Sequence, residues 1–313
     1  MPSIARRFVS GVLLVLVAAC AGRVPRADPA TPEPAGRLTR HVVVVSIDGL
    51  RPDAIARFHA PMLQRLAREG SVTLSATTVL PSKTLPSHVS MLTGVEPAVH
   101  GVEWNTDSVA TRGVVRVRTV FGVARAAGFR TAALFSKAKL RHLQVAGTLD
   151  FTESPSRAWL PWPASRTAGD AVTVMRRLRP NLLFVHLGEP DYAGHALGWA
   201  GTVYGLNVRL ADDALRDIVR GADAAYGTGQ WTLVVTADHG GHGHDHGSAD
   251  ARDVTIPWIA WGEGVRGGTS VAAAVHTTDT AATALWLLGV PVPAEWSGRP
   301  VTGAFAAGAA AAR

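Results

Sequence analysis

Several carboxylates and histidines in this chain follow short apolar runs, and together they could bind divalent cations. In chain order they are Asp48, Asp191, His195, Asp238 and His239, the last of which opens a histidine-rich segment that ends at Gly247. Carboxylate oxygens and imidazole nitrogens are suitable ligands for zinc, and no thiolate competes with them. A single Asp after a strand is more often a turn or helix-capping residue, so the prediction of a metal site depends on the whole set.

The elements that must position these residues alternate between strands and helices. Continuous apolar runs predict strands over Val42–Ile47, Thr131–Phe135, Leu182–Leu187, Thr232–Thr236 and Ile256–Trp261. Helical periodicity and flanking Pro or Gly predict helices over Pro52–Glu69, Val117–Ala127, Thr167–Leu178, Ala211–Arg220 and Thr277–Leu288. This alternation predicts an α/β fold with a mostly parallel sheet and helices on both faces. Ligands bind beyond the carboxyl ends of such strands, where the candidate residues gather.

The order of motifs along the chain resembles the alkaline phosphatase superfamily and, within it, the type I phosphodiesterase/nucleotide pyrophosphatase family. The matching motifs are Ser46–Gly49, Pro81–His88 with Thr93 and Gly94, His100 and Gly101 followed by Asn105, Asp191–His195, Asp238–Gly240, and His246 with Gly247. Each motif is weak alone, but the resemblance covers nearly the whole predicted domain. It implies an alkaline phosphatase-like core and hydrolysis of phosphoric esters.

The resemblance also implies two zinc ions per chain. It assigns Asp48, Thr84, Asp238 and His239 to one ion, and Asp191, His195 and His246 to the other. Two such ions can stabilise the attacking and leaving oxygens of a displacement at phosphorus. His246 is chosen over His242 and His244 because the residues after it resemble the family's last ligand loop and strand. His242 and His244 are expected beside the site or in solvent.

Thr84 is the implied nucleophile, its hydroxyl deprotonated by coordination to zinc, and it would form a covalent intermediate. The segment Ser87–Leu92 is expected to form a short helix whose N-terminus faces the phosphate. Asn105 resembles the family asparagine whose amide donates to a phosphoryl oxygen. Taken alone, Thr84 could be a helix cap and Asn105 a turn residue.

Three basic residues, Lys137, Lys139 and Arg141, follow the strand Thr131–Phe135 and could reach the site. The pair Lys139 and Arg141 resembles the extra phosphate clamp of some monoesterases of the superfamily, and a solvated helix start is the alternative. An alkaline phosphomonoesterase therefore remains open beside a phosphodiesterase or nucleotide pyrophosphatase.

Other activities fit the chain less well. Sulfatases of the superfamily need a modified Cys or Ser where this chain has Thr84, and cofactor-independent phosphoglycerate mutases are longer and cytoplasmic. A non-catalytic zinc-binding envelope lipoprotein would explain the histidines but leave the Pro81–His88 loop unexplained.

The N-terminal residues predict export and lipid anchoring. Arg6 and Arg7 precede the apolar stretch Val9–Ala19, which ends in a lipobox-like sequence before Cys20, the only cysteine of the chain. We expect a signal peptide over residues 1–19, a lipid anchor on Cys20, a Pro-rich linker over residues 20–40, a catalytic domain over residues 41–303 and a disordered tail over residues 304–313. The expected location is the bacterial cell envelope.

The net charge is basic, +7 over the whole chain. The arginines are scattered, and no nucleic-acid-binding motif accompanies them, so the basic charge is only weak support for nucleic-acid binding and we argue for no nucleic-acid partner. A basic surface would attract a small anionic phosphoester substrate. The sequence does not predict the oligomeric state.

Overall fold

The computed structural model describes residues 36–157 and 161–306, so the predicted signal peptide, Cys20 and much of the linker and tail lie outside the described residues. The strands are β1 Val42–Ile47, β2 Ser71–Thr77, β3 Thr131–Leu134, β4 Phe151–Glu153, β5 Leu182–Leu187, β6 Thr232–Thr236, β7 Thr255–Gly262 and β8 Thr269–Ser270. The helices are α1 Pro52–Arg57, α2 Pro61–Glu69, α3 Thr84–Thr93, α4 Pro97–His100, α5 Val109–Arg112, α6 Val120–Ala126, α7 Ala164–Leu178, α8 Asp191–Leu197, α9 Thr202–Tyr226, α10 Ala251–Val254 and α11 Asp279–Leu287. Short 3-10 helices span Ala138–Leu143 and Thr302–Ala304.

The described strands form one eight-stranded sheet in the order β4-β3-β5-β1-β6-β7-β2-β8. The five strands β4, β3, β5, β1 and β6 run parallel to one another. Strand β7 runs antiparallel to its two neighbours, β6 and β2. Every residue of β1, β5 and β6 is buried, as their continuous apolar runs require. The predicted mostly parallel α/β fold is confirmed.

The position of β1 between β5 and β6 decides where the site forms. Ser46 near the carboxyl end of β1 pairs with His186 of β5 and with Thr236 of β6. The loops that leave these three strands therefore start side by side at one edge of the sheet. These are the loops that carry the predicted aspartates.

Helices cover both faces of the sheet. On one face α7 packs against α9, and α2 packs against α9 and β7. On the other face α11 packs against α3, α6 and β1. Buried apolar side chains from both layers and the sheet form one continuous core. Among the helices of the described residues, none is both long enough and apolar enough to cross a bilayer.

The prediction of one continuous helix over Pro52–Glu69 is wrong. The segment Pro52–Glu69 forms two helices, which are separated by a turn over residues 58–60 with His59 at φ 52°. Pro61 causes the break, because proline has no N–H to continue a helix and disfavours helical backbone at the preceding residue. Pro61 instead begins α2, where the missing N–H carries no cost. The structure also adds β2, β4 and β8, whose sequences contain no continuous apolar run.

Candidate active site

The first predicted ligand set surrounds the imidazole of His239. Its Nε2 lies 3.4 Å from Thr84 Oγ1, 3.5 Å from Asp48 Oδ1 and 3.2 Å from Asp238 Oδ2. All four residues are buried. Ligand atoms around a tetrahedral zinc lie roughly 3.3 Å apart, given bonds of about 2.0–2.1 Å. The structure thus brings together four atoms at separations that suit one metal ion.

The second predicted set forms a similar triangle beside the first. Asp191 Oδ1 lies 3.4 Å from His195 Nε2 and 3.5 Å from His246 Nε2, and the two nitrogens are 3.1 Å apart. The rings of His239 and His246 stack with centroids 3.6 Å apart, so the two sets are adjacent. The side chain of His195 is 42 % exposed, and it marks the side on which the site opens to solvent.

Hydrogen bonds hold one oxygen of each aspartate and leave the other without a partner. Asp48 Oδ2 contacts His186 and Lys137, Asp191 Oδ2 contacts Lys137, and Asp238 Oδ1 accepts from two backbone N–H groups. Among the described residues the opposite oxygens have no hydrogen-bond partner, and all three are buried: Asp48 Oδ1, Asp191 Oδ1 and Asp238 Oδ2. A buried carboxylate oxygen without a partner is costly. These three are the atoms that face the two ligand sets, so the donors present fit two bound cations.

The three histidines of the ligand sets are oriented by the same kind of hydrogen bond. Each Nδ1 bonds to a backbone carbonyl: that of Gly240 for His239, of Ser82 for His246 and of His244 for His195. A carbonyl only accepts, so Nδ1 carries the proton and Nε2 presents a lone pair to the cluster. The close approach of His195 Nε2 and His246 Nε2 then brings two lone pairs together, an arrangement that a cation stabilises.

Lys137 lies inside the cluster and contacts ligands of both sets. Its Nζ is 2.7 Å from Asp48 Oδ2 and also contacts Asp191 Oδ2. Burial opposes the charge of Asp48, but the Lys137 ammonium and the His186 hydrogen bond hold the pKa of Asp48 well below its usual range. Burial and the charge of Asp48 raise the pKa of Asp238 well above its usual range. One lysine therefore does not neutralise the three buried carboxylates.

Thr84 is the first residue of α3, which begins three residues earlier than expected and places the hydroxyl in the first ligand set. Asn105 Oδ1 accepts a hydrogen bond of 2.9 Å from the N–H of Leu85, the residue after Thr84. The amide nitrogen of Asn105 is left as the donor of that side chain. The predicted nucleophile and the predicted oxyanion donor are thus held next to each other.

The two residues of the proposed clamp differ in their surroundings. Lys139 is partly buried, and its side chain has no hydrogen bond or ion pair among the described residues. Burial and the nearby Lys137 ammonium lower the pKa of Lys139. The Arg141 guanidinium instead pairs with Asp107 and donates to the carbonyl of Ala138. The structure does not bring the Arg141 side chain into the cluster.

Sequence reasoning passed over three residues of this region. Lys137 was named only as within reach, although its side chain is central. His186 in β5 was not among the predicted site residues, although its imidazole forms a hydrogen bond with Asp48. Asp245 offers a further oxygen near His195 and His246. The other two histidines of the segment lie outside the ligand sets, as expected. His242 pairs with Asp253, and His244 is exposed. Only Asp245 carried a signal, because it is an acidic residue within the histidine-rich segment.

Comparison with protein families gives one match over most of the domain. The family model described as type I phosphodiesterase / nucleotide pyrophosphatase matches residues 42–247. This range contains every predicted metal ligand, Thr84 and Asn105.

Two curated relatives show more limited similarity. "GPI ethanolamine phosphate transferase 1" of Gibberella zeae is 27% identical over 235 residues, 68% of this chain. The chain spans only 23% of that relative's length. "Bis(5'-adenosyl)-triphosphatase enpp4" of Xenopus laevis is 34% identical over 73 residues, which are 23% of this chain and 16% of the relative.

Among solved structures, a similar fold occurs in murine ectonucleotide pyrophosphatase / phosphodiesterase 5, solved as an inactive threonine-to-alanine variant in complex with AMP. The TM-score is 0.68 at 17% sequence identity, and the match covers 82% of this chain and 97% of the other. At this identity the likeness shows the fold.

Proposed function

This chain belongs to the type I phosphodiesterase/nucleotide pyrophosphatase family, and from that membership we propose that it hydrolyses phosphodiester or nucleotide pyrophosphate bonds with two zinc ions. The observation that carries the proposal is a set of three buried carboxylate oxygens that have no hydrogen-bond partner among the described residues. All three lie within 4.0 Å of His239 Nε2, which is 3.4 Å from Thr84 Oγ1. Relatives named for action on nucleotides support this substrate class. Export and lipid anchoring through Cys20 stay predictions.

The residues divide into two groups with different tasks. Asp48, Asp238, His239 and Thr84 would hold one zinc, and Asp191, His195 and His246 would hold the other. When bound, zinc would lower the pKa of the Thr84 hydroxyl and stabilise negative charge on the phosphate. Metal analysis of the dialysed protein tests the number of ions, and full activity with one ion per chain would contradict it.

The reaction proceeds in two displacements at phosphorus. Thr84 Oγ1 bonds to phosphorus as the bond to the leaving oxygen breaks, and the leaving group takes up a proton. Water then attacks the phosphothreonine and releases the phosphate product and the Thr84 hydroxyl. The Asn105 Oδ1 atom accepts from the N–H of Leu85, so the NH₂ group of the same amide is left to donate a hydrogen bond to a phosphoryl oxygen.

A covalent adduct on Thr84 tests the mechanism. Thr84→Ala should abolish the adduct and lower kcat at least roughly a thousandfold, whereas Thr84→Ser should keep a reactive hydroxyl. Mass spectrometry of acid-quenched protein detects the adduct. Two inverting steps require net retention with a chiral phosphorothioate diester. Inversion, or near-normal turnover by Thr84→Ala, would mean that water attacks the substrate directly.

An alkaline phosphomonoesterase is the second candidate, and the lysines of the cluster favour it. Lys137 lies between the two ligand sets, and Lys139 has no partner among the described residues. Lys139 would offset the second charge of a phosphomonoester dianion, because the Lys137 ammonium is already paired with Asp48 and Asp191. The ratio of kcat/KM for p-nitrophenyl phosphate and bis-p-nitrophenyl phosphate decides between the two. A hundredfold monoester preference that Lys139→Met removes would establish the monoesterase.

A further inference from the structure

A cavity lined by residues between His100 and Arg116, together with His142, contains none of the ligands of the metal cluster. Its volume is about 380 Å³, and its walls come from the segment after α4, the end of α5 and one side chain of the 3-10 helix. The residues that give it chemical character are His100, Trp104, Arg112, Arg116 and His142. No carboxylate lines it.

The two arginines of the cavity are unlike the arginines around it. Arg112 and Arg116 are exposed, and neither forms an ion pair within the described residues. The Arg112 guanidinium lies over the Trp104 ring, 4.4 Å from its centroid. Nearby arginines are paired with acids, namely Arg118 with Glu295, Arg125 with Asp150 and Arg141 with Asp107. The cavity therefore carries two uncompensated positive charges.

Contacts with His142 position the Trp104 ring in the wall of the cavity. The ring of Trp104 meets that of His142 edge to face at 5.7 Å, and His142 Nδ1 donates to the carbonyl of Gly113. Trp104 Nε1 is buried and has no hydrogen-bond partner among the described residues. A guanidinium held over an aromatic ring can bind an anion through two parallel N–H groups without first being ordered.

Trp104 in the wall of the cavity is next in sequence to a residue of the predicted active site. Trp104 immediately precedes Asn105, and their Cα atoms are about 3.8 Å apart, as for any trans peptide. The Asn105 side chain bonds to the residue after Thr84. One substrate molecule could therefore place its reacting phosphate at Thr84 and another group over Trp104.

We propose that Arg112 and Arg116, with Trp104, form an anion subsite that binds a second phosphate group of the substrate. This inference rests on the proposed function and narrows it, because it assigns to the enzyme phosphoesters that carry more than one phosphate. Simple diesters would occupy the metal cluster and leave the cavity unused. The subsite would change the relative kcat/KM values of different substrates and would take no part in the bonds that form and break.

Enzyme kinetics with two substrates test the subsite. The double variant Arg112→Gln/Arg116→Gln should lower kcat/KM for diadenosine triphosphate roughly tenfold more than kcat/KM for bis-p-nitrophenyl phosphate. Arg118→Gln is the matched control, because Arg118 is an exposed arginine of the same segment that already pairs with Glu295. The control should leave the ratio of the two values as in the wild type.

A binding experiment separates this inference from the proposed function. Calorimetric titration of zinc-loaded Thr84→Ala protein with inorganic pyrophosphate should show roughly tenfold weaker binding after the two arginines are replaced. Unchanged pyrophosphate affinity would overturn the subsite, whatever the kinetics show. If the wild type hydrolyses neither substrate, the proposed function fails, but the titration still decides whether the arginines bind phosphate.

Discussion

At the scale of single residues, the three aspartates of the cluster share one arrangement. Each has one oxygen fixed by protein donors and one buried oxygen that has no hydrogen-bond partner in the described part of the chain. The fixed oxygen sets the direction in which the free one points. Such preorganisation keeps ligand atoms in place before a metal binds and lowers the cost of ordering them. Lys137 supplies the fixing contact for both Asp48 and Asp191.

Replacement of Lys137 by Met should destabilise the metal-free protein more than the zinc-loaded protein. Without the ammonium, two buried carboxylates lose their counter-charge, and breaking a buried ion pair costs about 3–5 kcal/mol. Bound zinc would supply positive charge to the same two carboxylates and reduce the loss. Urea denaturation with a chelator and with added zinc measures both values.

Lys139→Met is the control for that experiment, because Lys139 follows closely in sequence but has no ion pair among the described residues. It should change the free energy of unfolding little in either condition. An equal loss for Lys137→Met with and without zinc would show that Lys137 contributes packing and not charge compensation.

At the scale of elements, α2 depends on a side chain from another helix. The N-cap residue of α2 is Ala60, whose methyl side chain cannot accept hydrogen bonds from the first N–H groups of the helix. Asp212 in α9 accepts hydrogen bonds from Met62 N at 2.9 Å and from Leu63 N at 2.7 Å. The carboxylate is buried and also interacts favourably with the positive end of the helix. This contact fixes α2 against α9.

Asp212→Ala should therefore lower the free energy of unfolding by about 1–3 kcal/mol, because two buried N–H groups lose their acceptor. Urea denaturation of the zinc-loaded protein measures the change. Asp213→Ala is the matched control, since Asp213 is the next residue of α9, is exposed and pairs with Arg216. A loss no larger than that of the control would contradict the capping contact.

At the scale of the whole molecule, the end of the sheet opposite the cluster contains a titratable group that links folding to pH. His41 precedes β1, stacks on Tyr226 with centroids 3.9 Å apart and donates from Nδ1 to the carbonyl of Pro180. Burial lowers the pKa of His41 from 6.5 to about 4. The unfolded chain binds this proton at higher pH than the folded chain. The contribution of neutral His41 to the free energy of unfolding is fully present above pH 6.5 and is lost as the pH falls toward 4.

His41→Phe should keep the ring stack and remove the titration. The wild type should lose about 3 kcal/mol more than the variant between pH 6.5 and pH 4. The difference between the two proteins in free energy of unfolding, measured at each pH, cancels contributions from the other histidines. A difference that stays constant from pH 7 to pH 4 would show that His41 does not control this pH dependence.

Local sequence patterns are enough to predict the main strands of the core and the types of residue in the site. Strands β1, β5 and β6 have the predicted bounds, because each is a run of β-branched and other apolar residues closed by turn residues. Asp48, Asp191 and Asp238 were identifiable because they follow those strands. Local propensity and burial act over a few neighbouring residues, and a linear sequence displays them directly.

Local patterns do not predict which of these residues come into contact in the folded protein. The apolar runs of β1, β5 and β6 are equivalent as patterns, so nothing local states that β1 lies between the other two. The same holds for Lys137, which reaches Asp191 across 54 residues, and for Asp212, which caps a helix that begins 151 residues earlier. Arg141 has the spacing of a phosphate clamp but pairs with Asp107. Contacts between distant segments depend on strand order and helix packing, and these are set by the free energy of the whole fold.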